Sequence, residues 1–339
     1  MNLEMSLKPL RATANPSPIQ RPGSVRRTAS VDFDWIDGPQ GDRRLQGVAR
    51  DFLTPSNGGP GRATAEARLD ARIDPQRTIT AIAATPAPPR LAELVGERGG
   101  GHLRSVLREI MPELIAQGAP LYLLLDDISG TSLISNWGWT LWRDDWMADM
   151  RGGMAPEQFQ KMMNDRAGVC WGLQLGNSGM DPKRAGLMQN PADGGELRNH
   201  EDPQGWHEFP LTDAVSMRRA RRIDVWRDAG TGLIHIDSSF QDSAPRPGGG
   251  RAALHEYRLT ATVAPESMEL LSLVPEPRVL PFVECPGAVA NATKLVGTPL
   301  PMIREAVLSE LRGPAGCTHL NDALRALAEV PKLVEQLAA

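Results

Sequence analysis

Two short stretches of this chain carry residues spaced for acid–base chemistry. The first is Leu121-Tyr122-Leu123-Leu124-Leu125 followed by Asp126-Asp127. Read as an apolar strand, it delivers two acids at its C-terminal end. Neighbouring strand residues point to opposite faces, so one acid enters a cleft and the other is solvated or paired. A helix or turn cap is the competing reading. The second stretch is Gly316-Cys317-Thr318-His319-Leu320-Asn321-Asp322. With Thr318 or Asn321 as cap, a helix starts near Ala323 and ends or kinks at Pro331, which leaves Cys317 just ahead of a helix N-terminus. That position stabilises a thiolate, and His319 is then placed as a general base or hydrogen-bond donor. A buried cysteine at an ordinary helix start is the alternative.

Cys-x-His offers two ligands where a zinc site needs about four, and no CxxC or HxxxH pattern accompanies it, so no metal ligands are assigned. The chain has no Walker loop, no GxGxxG between a strand and a helix, and no GxSxG elbow. Gly99–Gly101 reads as a linker. What remains is acid–base chemistry with no cofactor. Asp127 or His319 would be the base, and Arg104 or Tyr122 would stabilise the anion. Burial raises a carboxylate's pKa and lowers a histidine's, which suits such a site.

Those residues need a scaffold, and the sequence supplies it twice. Ser24-Val-Arg-Arg27 with Val31-Asp32 matches Ser216-Met-Arg-Arg219 with Ile223-Asp224. Pro/Gly loops at 54–61 and 243–250 each read as a hairpin connection, and Asp51 and Asp242 precede them. Arg68-Leu-x-Ala-x-Ile-x-Pro75 matches Arg258-Leu-x-Ala-x-Val-x-Pro265, with the alternation of a half-buried strand. Leu94–Gly96 and Leu295–Gly297 follow. Then comes helical spacing at Leu103, Leu107, Ile110, Leu114 and at Ile303, Val307, Leu308, Leu311, with Arg104 and Arg304 in like positions. The expected fold is α+β: two duplicated β-rich units, each with a packed helix, related by a pseudo-two-fold axis. The expected domains are a flexible arm at 1–23, a first unit at 24–127, an insertion or lid at 128–215, and a second unit at 216–339.

The insertion holds Trp137, Trp139, Trp142, Trp146, Trp171 and Trp206, six of the chain's eight tryptophans. A short helix is expected at Pro156–Met163, and a lid-like loop from Gly176 to Pro210 carries His200 and His207. The tryptophans either form a small aromatic core or wall a planar ligand, for which Trp137, Trp139, Trp142 and Trp171 are the candidates. Arg26-Arg27 and Arg218-Arg219 recur in both units and read as scaffold, one of each pair meeting Asp32 or Asp224. Arg221-Arg222 reads as a solvated face.

The chain has 339 residues, 41% of them hydrophobic, a net charge of −4 and a pI near 5.9. That balance gives no reason to expect nucleic acid. No apolar run approaches the roughly 20 residues that span a bilayer. The N-terminus lacks a signal-peptide run, and three cysteines suit a reducing compartment. A cytoplasmic protein is expected, with a homo-oligomer compatible.

As a set, Ser24-Val-Arg-Arg27, Pro120-Leu-Tyr-Leu-Leu-Leu-Asp-Asp127, Arg222-Ile-Asp-Val225, Phe240-Gln-Asp-Ser243, Leu254-His-Glu-Tyr257 and Gly316-Cys-Thr-His-Leu-Asn-Asp322 resemble the bacterial family known as domain of unknown function 2889. The resemblance runs from about residue 24 to the C-terminus. It implies a catabolic role on a hydrophobic small molecule. The expectation is therefore a lyase that cleaves C–C or C–O bonds of an aromatic compound, such as release of formaldehyde from a lignin-derived dimer. The alternatives are a metal-assisted hydrolase or lyase using Cys317, His319 and a histidine of the insertion, and a non-catalytic small-molecule-binding or assembly protein.

Overall fold

A computed structural model describes residues 12–146, 148, 152–181, 191–210 and 214–337. Strands β1 (Ser24–Trp35), β2 (Arg43–Thr54), β3 (Arg62–Ile73) and β4 (Ile79–Thr85) come first. Helices α1 (Leu103–Ile110), α2 (Pro112–Gln117), α3 (Pro120–Ile134), α4 (Trp137–Trp142) and α5 (Pro156–Arg166) follow. After the two-residue β5 (Ala192–Asp193) come β6 (Ser216–Arg227), β7 (Ile234–Pro245), β8 (Arg251–Val263) and β9 (Leu270–Val279). Helices α6 (Ile303–Glu310), α7 (Thr318–Arg325) and α8 (Val330–Gln336) end the described chain. The fold is α+β, as expected.

All nine strands form one antiparallel sheet in the order β4-β3-β2-β1-β6-β7-β8, with β5 and β9 both on the far edge of β8. The seam between β1 and β6 places Ala29 opposite Arg221, Arg26 opposite Asp224 and Asp32 opposite Arg218. Two turns repeat one backbone pattern. The residue before β4, two positions upstream, is Arg77 with φ 70°, and the residue two positions before β9 is Met268 with φ 54°. Gly96 N–H donates to Ile79 O at 2.8 Å, as Gly297 N–H does to Leu270 O at 2.8 Å. Gly99 N–H donates to Arg77 O at 2.7 Å, as Leu300 N–H does to Met268 O at 2.8 Å.

One face of the sheet packs on helices. Alternation sends Val25, Val31 and Phe33 of β1 and Ile223 and Val225 of β6 into that layer, all essentially unexposed. Helix α3 crosses β1, β2 and β3. It is buried along its whole length apart from Leu133: Leu121–Leu125 bury apolar surface all round the first turns, and the acids and hydroxyls that follow find partners inside. Leu124 and Leu125 are fully buried, each stabilising the fold by about 1.5–3 kcal/mol.

This corrects the reading of Leu121–Leu125 as a strand. A short continuous apolar run does not separate strand from buried helix; Pro120 at the first helical position, a favoured site for proline, starts α3 instead. The expected unit boundary at 127/128 therefore falls in mid-helix, and both Asp126 and Asp127 are buried. Arg221 and Arg222 are buried too, not solvated, because both find carboxylates inside. Helix α5 covers the expected Pro156–Met163 segment.

The opposite face is covered by 12–23 and 191–210. The expected flexible arm is tied down from residue 12 onward: Ala14 N–H donates to Glu256 Oε1 at 2.5 Å, Ser17 N–H to Leu197 O at 3.1 Å, and Gln20 N–H to Asp202 Oδ2 at 2.9 Å. Residues 1–11 of that arm and 182–190 of the expected lid lie outside the described residues. No described helix is long and apolar enough to cross a membrane.

Candidate functional site

Among the described residues, six arginines and six acids lie between sheet and helices, in two groups that each balance in charge. In the smaller group, Arg27 grips Asp51 through Nε and Nη2, both at 2.6 Å, and Glu329 through Nη1 at 2.7 Å. Arg304 also pairs with Glu329. In the larger, Arg219 holds Asp242 (Nε–Oδ1 2.8 Å, Nη2–Oδ2 3.1 Å) and Asp322 (3.0 Å). Arg221 holds Asp127 (Nε–Oδ2 2.7 Å, Nη2–Oδ1 2.6 Å), Arg104 bridges Asp126 (2.5 Å) and Asp322 (3.0 Å), and Arg325 also meets Asp322. Such pairs add little over an apolar core, but removing one partner costs about 3–5 kcal/mol.

This network gives several expected site residues other work. Asp127 is a clamp for Arg221, with Arg219 Nη1 at 3.5 Å, so neither oxygen is free to act as a base. Burial works against the Arg104 cation, but Asp126 and Asp322 outweigh it and raise its pKa. Arg104 is thus committed to them. Tyr122 lies under the Arg304 guanidinium, 4.6 Å from the ring centroid, and burial pushes its hydroxyl up to about 12. It is a neutral phenol at neutral pH.

His319 has the more open surroundings. Asp242, His255 and His319 bring ligand-type atoms within 4.8 Å of one another. Asp242 Oδ2 is 3.2 Å from His255 Nδ1 and 3.9 Å from His319 Nε2, and the two imidazoles stack with centroids 3.4 Å apart and planes at 16°. The His255 Nδ1 is buried without a well-aligned hydrogen-bond partner. His255 is buried, while the His319 side chain keeps 13% of its surface. Burial, then the neighbouring His255, holds His319 well below its usual pKa; burial lowers His255 as well, against the pull of Asp242. Burial favours a neutral Asp242, but Arg219 and His255 outweigh it and keep the carboxylate ionised.

As arranged, these three donors do not fit a metal ion. Imidazole lone pairs lie in the ring planes, and two nearly parallel planes 3.4 Å apart cannot both aim at an ion roughly 2.0–2.1 Å from each nitrogen. Asp242 is already matched by Arg219, so an added dication would leave the group with uncompensated buried charge. Cys317 lies at a helix N-terminus, but as the N-cap itself: α7 starts at Thr318 and not near Ala323, so Thr318 and Asn321 are inside it, and it ends at Arg325, with Pro331 in the first turn of α8. Cys317 is buried, and burial raises its thiol despite the α7 N–H groups of His319 and Leu320. Position alone does not activate it.

The tryptophans divide among three places. Trp35, Trp139 and Trp146 form one contact chain, with centroids 5.4 and 5.5 Å apart. Trp142 Nε1 donates to Pro245 O, the last residue of β7, at 2.9 Å, and α4 packs on β6 and β7. The indole N–H groups of Trp35, Trp137, Trp139 and Trp146 are buried without an acceptor among the described residues. Trp171 lies elsewhere, its backbone N–H donating to Gly316 O at 2.7 Å, one residue from Cys317. Trp206 is on the opposite face with His207 and Phe209. There His207 is pinned between Thr28 Oγ1 (2.9 Å) and Ser30 Oγ (2.8 Å), and the lid histidine His200 is exposed. The same face holds cavities of about 220 Å³ and 320 Å³ that share Arg258.

Sequence reasoning brought out His319 but not its partners. The signals were there: Asp242 lies near the end of one hairpin strand, and alternation in Leu254-His-Glu-Tyr257 puts His255 on the same face across the hairpin.

Residues 217–332 match the model of a family described as protein of unknown function (DUF2889). No curated protein and no solved structure matches the chain.

Proposed function

We propose that this chain is an acid–base lyase of the cytoplasm acting on a hydrophobic aromatic small molecule, with His319 as the proton-transfer residue. The observation that carries the reading is the stacked His255–His319 pair against Asp242, with its one partly open edge at His319. A neutral imidazole held beside an ionised carboxylate can accept a proton, and Asp242 then stabilises the imidazolium. Asp242 is itself held by Arg219. The four indole N–H groups without acceptors near the end of β7 support an oxygen-bearing aromatic ligand.

The concrete version is formaldehyde release from a lignin-derived dimer. His319 takes the hydroxyl proton of a hydroxymethyl group, and the C–C bond breaks to free formaldehyde. The electron pair forms the new C=C bond and expels the benzylic oxygen, which takes the proton back from His319. No oxidant or reductant enters.

An internal duplication about a pseudo-two-fold axis belongs to the same reading. It is supported by the β1–β6 register, which sets Arg26 on Asp224 and Arg218 on Asp32. It is also supported by the matched turns at Arg77 and Met268. On that reading Asp51–Arg27 and Asp242–Arg219 are counterparts. Asp51 is completed by Gln336 Nε2 at 2.9 Å, and Asp242 by two histidines. On that reading the halves share the scaffold pair and differ in what touches it, which supports chemistry in the second half.

The test is incubation of the purified protein with a panel of lignin-derived dimers, following formaldehyde. Turnover is expected, with His319→Ala lowering it about 10²–10⁴-fold while the circular dichroism spectrum stays unchanged. An untouched panel, or full activity in His319→Ala, would end the proposal. One observation favours a non-catalytic binding or assembly protein instead: the layer over the β1–β6 seam is filled by ion pairs. That reading predicts ligand binding without turnover.

A further inference from the structure

Away from the histidine pair, three arginines gather on the turn between β3 and β4. Arg43 opens β2, opposite Ile73, and its Nη1 donates to Asp74 O and Pro75 O at 3.3 and 3.4 Å. Arg98 Nε donates to Gln76 O at 3.2 Å. Arg77 stands in the turn itself, in the left-handed region. Its guanidinium makes no hydrogen bond or ion pair among the described residues, and none of the three has a carboxylate within ion-pair distance there. Arg43 is nine-tenths buried, and its Nε is buried without a partner. Burial, then Arg98 and Arg43, lowers the pKa of Arg77, as expected of like charges brought together. Asp42 and Asp74 face Arg43 from farther off, and Asp74 Oδ1 already accepts the Thr78 N–H at 2.7 Å.

The turn itself does not need these cations. The turn before β9 makes the same backbone bonds with Ile234 opening β7, Met268 in the left-handed position and Pro299 bridging Glu269, where Thr78 bridges Arg98. Three apolar residues hold one turn and three arginines hold the other. Arg43 is buried, Arg77 half-buried and Arg98 exposed at the rim, and buried guanidinium groups without carboxylates are costly unless an anion completes them.

We propose that Arg43, Arg77 and Arg98 form a binding site for a small oxyanion, a carboxylate or a phosphate group. Guanidinium groups suit either, because their planar donor forks match both oxygens of such a group. The site is independent of the reaction assigned to His319.

The experiment is isothermal titration of the full chain with sodium benzoate and, separately, with inorganic phosphate at low ionic strength. Wild type is compared with Arg77→Met, the residue of the matching turn, and with Arg98→Ala. Saturable binding of at least one anion is expected, weakened about tenfold or more in each variant, with the melting temperature in the absence of anion unchanged. Benzoate alone would identify a carboxylate site and phosphate alone a phosphate site. Failure of both anions to bind at up to about 10 mM, or unchanged binding in a folded Arg98→Ala protein, would overturn the proposal.

Discussion

Gly130 of α3 lies directly against the guanidinium of Arg219. A Cβ at position 130 would fall inside the van der Waals envelope of Nη1, so the absent side chain is what lets the helix close over the buried cation. Gly130→Ala would normally favour a helix by about 1 kcal/mol. Here it should destabilise the protein by about 3–5 kcal/mol, because Arg219 is pushed off Asp242 and Asp322. Urea unfolding checks the sign, and a stabilised variant would remove the argument.

The Arg218–Asp32 pair, at 2.8 Å across the β1–β6 seam, lends itself to a double-mutant cycle. Either Arg218→Met or Asp32→Leu should cost about 3–5 kcal/mol, since each strands a buried charge. The double variant should recover much of that loss. Additive losses would show that the two residues act separately.

Stability should fall on the acid side of neutrality, and His207 is the reason to look. Burial, then the arginines around it, lowers its pKa from 6.5 to about 3. Above pH 6.5 the folded and unfolded forms are both neutral there, so the group contributes no pH dependence. Below 6.5 the unfolded chain binds a proton that the folded one refuses. Stability should then drop by at most about 1.4 kcal/mol per pH unit, down to the folded value near pH 3. His207→Gln should flatten the slope of unfolding free energy between pH 4 and 6. An unchanged slope would place the titration elsewhere.

The three cysteines should be slow to react. Burial raises all three thiols, Cys170 to about 11, so few are thiolates at pH 8. Native protein mixed with Ellman's reagent should release colour slowly, and unfolded protein should release three equivalents at once. Fast labelling of Cys317 in the native state would restore its candidacy as a nucleophile.

Much of the sheet is legible in the sequence because alternation and turn residues are local signals. Arg68–Ile73 and Arg258–Val263 became β3 and β8, and the loops after Asp51 and Asp242 became hairpin connections. Helix α3 was misread because its opening run, Leu121–Leu125, is apolar without a break, which removes the period that tells helix from strand. The candidate site was legible at one residue, His319. Asp127 and Arg104 looked free because their partners, Arg221 and Asp322, lie 94 and 218 residues away. Arg221 looked solvated for the same reason, whereas Arg222 has its carboxylates close by, Asp224 and Asp237, and what the sequence hid there was the covering of that face of the sheet. Among the candidate tryptophans, Trp137, Trp139 and Trp142 share α4, whereas Trp171 belongs beside Gly316.

The two halves of the sheet have exchanged acids. Asp127, early in the chain, serves Arg221 of the second half; Glu329, near its end, serves Arg27 of the first. A fragment beginning at residue 216 would keep the family segment yet leave Arg221 without its counter-charge, and the complementary fragment would leave Arg27 without Glu329. Folding is thereby expected to be all-or-none across the whole chain, and inheritance is constrained with it: each of these charges can change only in step with a partner encoded far away.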